Sequence, residues 1–392
     1  MHLHVHCTSG ISGDMLVGAF LDLGLPWEHL QASLNGLALE GWRIRHQQVR
    51  KGGRDAVQFQ VEWEEQTRHR HLRDILEILQ RSKLPEPVQR VAIDLFRTLG
   101  EAEAQVHQVP LEQVHFHEVG AVDTIVDITA IAVALDYWKI RSVTSTPVVE
   151  GLGSVRYSHG TTELPVPAVR ALLTDASWHR IPLDSELVTP TGAAFLNRWV
   201  SAYTELSPLL KPAGGVGCGS KDFEHPNVLE LQLGDQLLES ETLLRLETNL
   251  DDVSPQILAS CLKLALQEGA LDAWASPVWG KKGRLGQQLV LLCTEPNRDA
   301  LIRWMMKQAG TYGVRVVPVS RLKLLSQHEH FPSEWGPVSV RMGQLGDELL
   351  HWKPEHDDVE RIAQETGESM LWVEARIREA WGSRIRKRGK DT

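Results

Sequence analysis

Cysteine is scarce, with 4 in 392 residues. Cys7, Cys218, Cys261 and Cys293 form no CxxC pair and no regular framework. That excludes a disulfide scaffold or a thiolate zinc knot and points to a reducing cytoplasm. Long apolar runs are missing as well. The most apolar stretch, Ala130 to Leu135, is bracketed by Asp127 and Asp136, far short of the roughly 20 residues that span a bilayer. The first residues, MHLHVHCTSG, show no basic segment before an apolar core, so neither a secretory leader nor a membrane partner is expected. An excess of positive charge is absent too, since the formal net charge is −10. It is unevenly spread: residues 1–241 hold 20 Lys+Arg against 31 Asp+Glu, and from Thr242 onward the counts are 21 and 20. An acidic first part disfavours nucleic-acid binding there and tolerates a cationic ligand, and no nucleic-acid partner is expected. The basic run RIRKRGK, Arg384 to Lys390, reads as a solvated, disordered tail without function.

What is present is the composition of a globular protein, 42% hydrophobic and 23% charged, in a chain too long for one core. Two domains are expected, 1–238 and 239–392, with GDQLLESET at 234–242 as the junction. The first reads as α/β or α+β. The second shows strand, helix, two strands, helix and strand between LLRLETNLDD and GVRVVPV, which is the split βαβ or ferredoxin-like plan, followed by extra strands and two terminal helices. Small sheets of this kind associate, so a homo-oligomer is expected.

Chemistry concentrates in HFHEVGAVDTIVDI, residues 115 to 128. Asp123 and Asp127 are four apart and therefore share one helix face. His115, His117 and Glu118 lie just upstream, and imidazole with carboxylate suits a borderline divalent metal such as nickel or zinc. The plainer alternative makes Asp123 a first-turn carboxylate and leaves Asp127 solvated. A second histidine pair, His69 and His71, precedes the amphipathic pattern Leu72, Ile75, Leu76, Leu79. His2, His4 and His6 share one face of a short strand, as a metal row or an exposed edge.

Two stretches have the form of anion cradles. In CTSGISGDM a glycine turn carrying Ser9, Gly10, Ser12 and Gly13 runs into a helix beginning near Asp14, and in VTPTGAA Thr191 and Gly192 open another. Neither is a Walker loop. The glycine cluster AGGVGCGSKDF reads as positive-φ turns approaching a backbone or ligand. In the second domain Asn249, Asp251 and Asp252 end the first strand, and Lys281, Lys282 and Arg284 lie on a glycine loop. Together they could neutralise a triphosphate and hold its Mg²⁺ or Mn²⁺, or simply decorate a charged hairpin tip.

SGISGDM, HRHLRDI, HFHEVGAVDTIVDI, SHGTTELPVPA, TPTGAA, GVGCGSKD and ETNLDDVSP, in this order, resemble the nickel-insertion family called LarC over nearly the whole chain. The resemblance implies CTP-dependent insertion of nickel into pyridinium-3,5-bisthiocarboxylic acid mononucleotide, with one nickel–carbon and two nickel–sulfur bonds formed. It further implies Mg²⁺ or Mn²⁺ with the CTP, a C-terminal CTP domain, and an apo enzyme that receives the finished cofactor. Glu118, Asp123 and Asp127 are then candidate bases, and His69, His71, His115 and His117 candidate metal ligands. Two departures stand out: His6 replaces the family's usual acidic residue, and the long histidine run many members carry near His69 is missing. The competing readings are a nickel metallochaperone with a regulatory nucleotide site, and a nucleotide-dependent metallohydrolase.

Overall fold

The computed structural model describes residues 1–63, 70–116, 122–157, 160–236, 238–280, 283–346 and 348–388. The chain divides into two compact units, one of Met1–Ser207, Lys211–Gly234 and Ser240–Arg321, the other of Pro208–Leu210, Asp235–Glu239 and Leu322–Thr392.

The first unit begins with β1 (His2–His6), whose alternation buries Leu3 and Val5 in the core, and α1 (Gly13–Asp22). Next come α2 (Trp27–Leu34) and the hairpin β2 (Trp42–Lys51) and β3 (Arg54–Trp63), paired in register from Trp42↔Trp63 to Lys51↔Arg54. The short β4 (Arg70–His71) leads into α3 (Leu72–Arg81), whose apolar stripe buries Leu72, Ile75 and Leu79. Asp74 caps it by accepting the His71 backbone N–H at 3.0 Å. Then follow α4 (Glu86–His107), β5 (His115–Phe116) and α5 (Val122–Tyr137). Almost every α5 residue from Val122 to Leu135 is buried, because this helix is apolar all round and must sit inside the fold.

The remaining elements of this part are β6 (Ser142–Ser145), β7 (Val148–Gly151), β8 (Ser154–Tyr157), β9 (Gly160–Glu163), α6 (Pro167–Leu172), β10 (Trp178–Ile181), α7 (Pro190–Trp199), β11 (Val200–Tyr203), β12 (Ala213–Cys218) and β13 (Val228–Gly234). Seven strands make one mixed sheet in the order β11-β6-β1-β13-β12-β3-β2. β1 runs parallel to β6 and antiparallel to β13. Leu3, Phe20, Phe96, Phe116, Ile125 and Phe195 belong to its main core, and each such side chain contributes about 1.5–3 kcal/mol by leaving water.

The glycine cluster differs from expectation. Ala213 to Cys218 is strand rather than turn, and its glycines let α1 lie against the sheet. A Cβ on Gly217 would stand 1.9 Å from the Met15 carbonyl oxygen.

Later in the same unit come β14 (Leu238–Leu250), α8 (Pro255–Gln267), β15 (Asp272–Trp279), β16 (Leu285–Cys293), α9 (Arg298–Gln308) and β17 (Arg315–Ser333), in the strand order β15-β16-β14-β17. Ser254 caps α8 by accepting the Ile257 N–H at 3.3 Å. Leu246, Leu289, Leu291, Leu301 and Met305 fill a second core. The expected junction at 234–242 is partly strand, since β14 starts at Leu238.

In the second unit the far part of β17 pairs with β18 (Gly336–Leu345), which pairs with β19 (Glu348–Pro354). α10 (His356–Thr366) and α11 (Met370–Arg388) complete it around Phe331, Val340, Ile362 and Trp381. The basic run is therefore not a loose tail as far as Arg388: it continues α11. Among the described residues no helix is long and apolar enough to cross a membrane.

Candidate functional site

Three helix starts meet at one cavity of about 530 Å³ in the first unit. α1 supplies Ser12, Gly13 and Asp14; α5 supplies Asp123, Thr124 and Asp127; α7 supplies Thr189, Pro190 and Thr191. The approach is close, for a Cβ on Gly13 would come within 2.6 Å of Asp127 Oδ2 and 3.0 Å of Thr191 Cγ2. The positive ends of three helix dipoles thus point at the space where Asp14, Asp123 and Asp127 stand, and Glu62 and Glu186 line it as well. β3 closes another side with Phe59, Val61 and Trp63.

The carboxylates are held unequally. Ser12 Oγ donates to Asp14 Oδ1, which also accepts the Met15 N–H at 2.9 Å. Asp123 Oδ1 accepts the Thr124 N–H at 2.8 Å. Asp127 Oδ1 is buried without a hydrogen-bond partner. Burial raises the pKa of all three, most for Asp127, where the charges of Asp14 and Asp123 add to the effect. A carboxyl whose pKa is raised in this way holds its proton more readily than an exposed one, and an incoming cation would favour its ionised form.

Other sequence candidates are placed elsewhere. Ser9 Oγ donates to the Pro226 carbonyl, and the Gly10 N–H donates to the Cys7 carbonyl at 3.3 Å, so both shape the turn behind the cavity without lining it. The Gly192 N–H donates to Thr189 Oγ1 at 3.3 Å and caps α7. In a two-stranded ribbon β4 sets His71 opposite His115, bringing together residues from the two histidine motifs. His71 lines a different cavity of about 650 Å³ with Arg73, Arg97, Glu101 and Glu112. His69, His117 and Glu118 lie outside the described residues, as does the side chain of His115.

His2 and His4 are buried, not an exposed edge. His2 bonds to Ser142 Oγ and Thr144 Oγ1, and His4 Nδ1 to Thr144 Oγ1 at 2.8 Å. Burial, aided by His6 and His2, lowers the His4 pKa to about 3. Burial also pushes the Cys7 thiol up to about 12, which removes it as a thiolate ligand. Among the described residues, no three His, Cys, Asp or Glu side chains are grouped to hold a metal ion.

A second cavity of about 320 Å³ is lined by Asn249, Leu250, Asp251, Val278, Gly280, Arg284 and Gly286. Arg284 Nη1 donates to Asp251 Oδ2 at 3.2 Å. Arg315 donates to Asn249 Oδ1 and to Glu247 Oε1, each at 2.8 Å, and that pairing holds the Glu247 pKa below the usual carboxylate range. Asp252 does not line this cavity, and Lys281 and Lys282 lie outside the described residues. Sequence reasoning missed Arg45, Trp63 and Glu186 at the first cavity and Arg315, which holds the Asn249 side chain beside the second. All but Glu186 lie on strands, which carry no local motif of a site.

A family model described as nickel insertion protein matches residues 3–374. A protein of Geobacter metallireducens is 38% identical over 377 residues, covering 95% of this chain and 96% of its own length. The pyridinium-3,5-bisthiocarboxylic acid mononucleotide nickel insertion protein of Staphylococcus epidermidis is 33% identical over 365 residues, covering 93% of this chain and 92% of its own length. Among solved structures, the apo form of LarC2, the C-terminal domain of a cyclometallase involved in the synthesis of the NPN cofactor of lactate racemase, matches 35% of this chain and 94% of its own length, at 25% identity and a TM-score of 0.32.

Proposed function

This chain belongs to the nickel insertion protein family, and on that premise we propose that it inserts nickel into pyridinium-3,5-bisthiocarboxylic acid mononucleotide in a CTP-dependent cyclometallation. The observation that carries the reading is Asp127, whose Oδ1 is buried without a hydrogen-bond partner, at a cavity it shares with Asp14 and Asp123. Both substrates bring positive charge, the nickel ion and the pyridinium ring, and this acidic space complements both. Entry of the cation favours ionised Asp127, which can then take the proton that the ring carbon loses as the nickel–carbon bond forms. Asp123 and Glu118 are the other proposed bases. Oxygen ligands hold nickel weakly enough to hand it to sulfur and carbon, whereas a thiolate would compete. We assign the phosphate of the mononucleotide to the N–H groups at the starts of α1 and α7.

The histidines His69, His71, His115 and His117 are assigned to nickel acquisition, supported by the opposition of His71 and His115 across their ribbon. CTP is assigned to the second cavity. Arg284 with Lys281 and Lys282 would face its phosphates, Asn249, Asp251 and Asp252 its Mg²⁺ or Mn²⁺, for which oxygen donors are suited. The strand order β15-β16-β14-β17 with α8 and α9 between strands supports the ferredoxin-like plan for this part. Residues 1–238 would thus handle nickel and precursor and 239–392 CTP, within a homo-oligomer that passes product to an apo enzyme.

Incubation with Ni²⁺, CTP, Mn²⁺ and precursor, followed by mass spectrometry, should yield the nickelated mononucleotide. Nickel retained without product would replace this reading with a metallochaperone. CTP hydrolysis indifferent to nickel and precursor would replace it with a metallohydrolase.

A further inference from the structure

We propose that Trp63 determines specificity at the first cavity by stacking its indole on the cationic ring of an N-ribosylated pyridinium. The proposal rests on the functional reading above and deepens it. Phe59, Val61 and Trp63 alternate along β3 with Gln60 and Glu62, so the three share one face; this end of the strand borders the cavity, and Gln60 and Glu62 line it too. Phe59 is fully buried and serves as floor, while Trp63, the last residue of the strand, keeps 40% of its surface exposed. Continuous pairing of β3 with β2, ending at Trp42↔Trp63, puts this indole on a rigid element rather than a loop.

The other wall is acidic and holds Asp127, whose Oδ1 has no hydrogen-bond partner. An aromatic face on one side and carboxylates on the other suit a flat cation, since the indole quadrupole and the negative charges attract it together. A neutral ring gains neither attraction. Arg45 also lines the cavity and pairs with Glu62 at 3.0 Å, with both side chains more than half exposed. So exposed a pair is weak, and Arg45 can exchange Glu62 for an anionic substituent on the ligand's ring. Charged ring and anionic substituents are thereby read by different residues.

Oxidised nicotinamide mononucleotide and its reduced dihydro form are the probes, because they share ribose and phosphate and differ in ring charge. Calorimetry should show the wild-type chain preferring the oxidised form by roughly 3- to 30-fold. Trp63→Leu should abolish most of that preference and Trp63→Phe should keep part of it, with circular dichroism confirming that each variant folds. Equal affinity of the wild type for both forms, no binding of either, or an unchanged preference in Trp63→Leu would overturn the proposal. The insertion assay separates the two levels. A wild-type chain that makes no nickelated product removes the functional reading and this one with it. A competent wild type whose KM for precursor is unchanged in Trp63→Leu removes only the role of Trp63.

Discussion

In the cavity behind α1, α5 and α7, Asp14, Asp123 and Asp127 have no ion pair among the described residues, whereas around the end of β14 Asp251 and Glu247 each face an arginine. Both places are rich in carboxylate, yet the pKa of Asp127 is raised and that of Glu247 is lowered. Buried acids without counter-ions are raised in pKa and weaken the fold, an arrangement retained where a cation is to be received. Paired acids hold arginines in place, and an incoming anion needs only to exchange one partner for another. A charge-complemented site is suited to a triphosphate with its own cation, and an uncomplemented one to a metal and a cationic ring.

The largest effect is expected from Asp127→Asn, which keeps the shape and removes the ionisable group. Formation of nickelated product should fall by about 100-fold or more, the usual scale for loss of a general base. CTP affinity, measured by calorimetry on the same variant, should stay within about 2-fold of wild type. Loss of both would mean that the two cavities are not separate in function, and loss of neither would return Asp127 to a structural role.

A smaller effect is expected at the second cavity. Arg284→Ala and Arg315→Ala should each weaken CTP binding by roughly 10-fold, the scale of one charge-assisted hydrogen bond. Arg284 is 65% exposed in its pair with Asp251, so its removal should shift the thermal midpoint little. Unchanged CTP affinity in both variants would move the nucleotide elsewhere.

Much of this contrast was legible in the sequence as chemistry, but not as place. The spacing of Asp123 and Asp127 and the glycine turn before Asp14 each mark a helix start with carboxylates. That all three meet depends on α1 lying across β12 and β3, which is set by Gly217 some 200 residues later and is invisible in any window. For the same reason the cluster around Gly217 reads as turns, although those glycines serve a strand that a helix must approach. Alternation finds β2 and β3 and puts Trp63 near the end of a strand, yet says nothing of which cavity that end meets. Alternation also places His2, His4 and His6 on one face, but the burial of His2 and His4 against Ser142 and Thr144 follows from the parallel pairing of β1 with β6. Arg315 carries no motif at all; it matters because β17 neighbours β14.

The finest test compares slopes of stability against pH. Asp127 has a folded pKa well above its unfolded one, so between the two the folded chain binds more protons, and stability falls as pH rises from about 4. Glu247 is the reverse. Its folded pKa is lowered, chiefly by the hydrogen bond from Arg315, so its stabilisation is present above the unfolded value near 4.5 and is lost as pH falls through the folded value. Thermal midpoints of Asp127→Asn and Glu247→Gln measured from pH 4 to 8 should therefore part from wild type in opposite directions. Asp127→Asn should match wild type near pH 4 and become the more stable protein as pH rises. Glu247→Gln should be less stable than wild type at pH 7 and approach it as pH falls below 4.5. Equal slopes for the two variants would mean that Asp127 is neutralised by a partner in the folded chain, and the contrast between an expectant site and a satisfied one would fail.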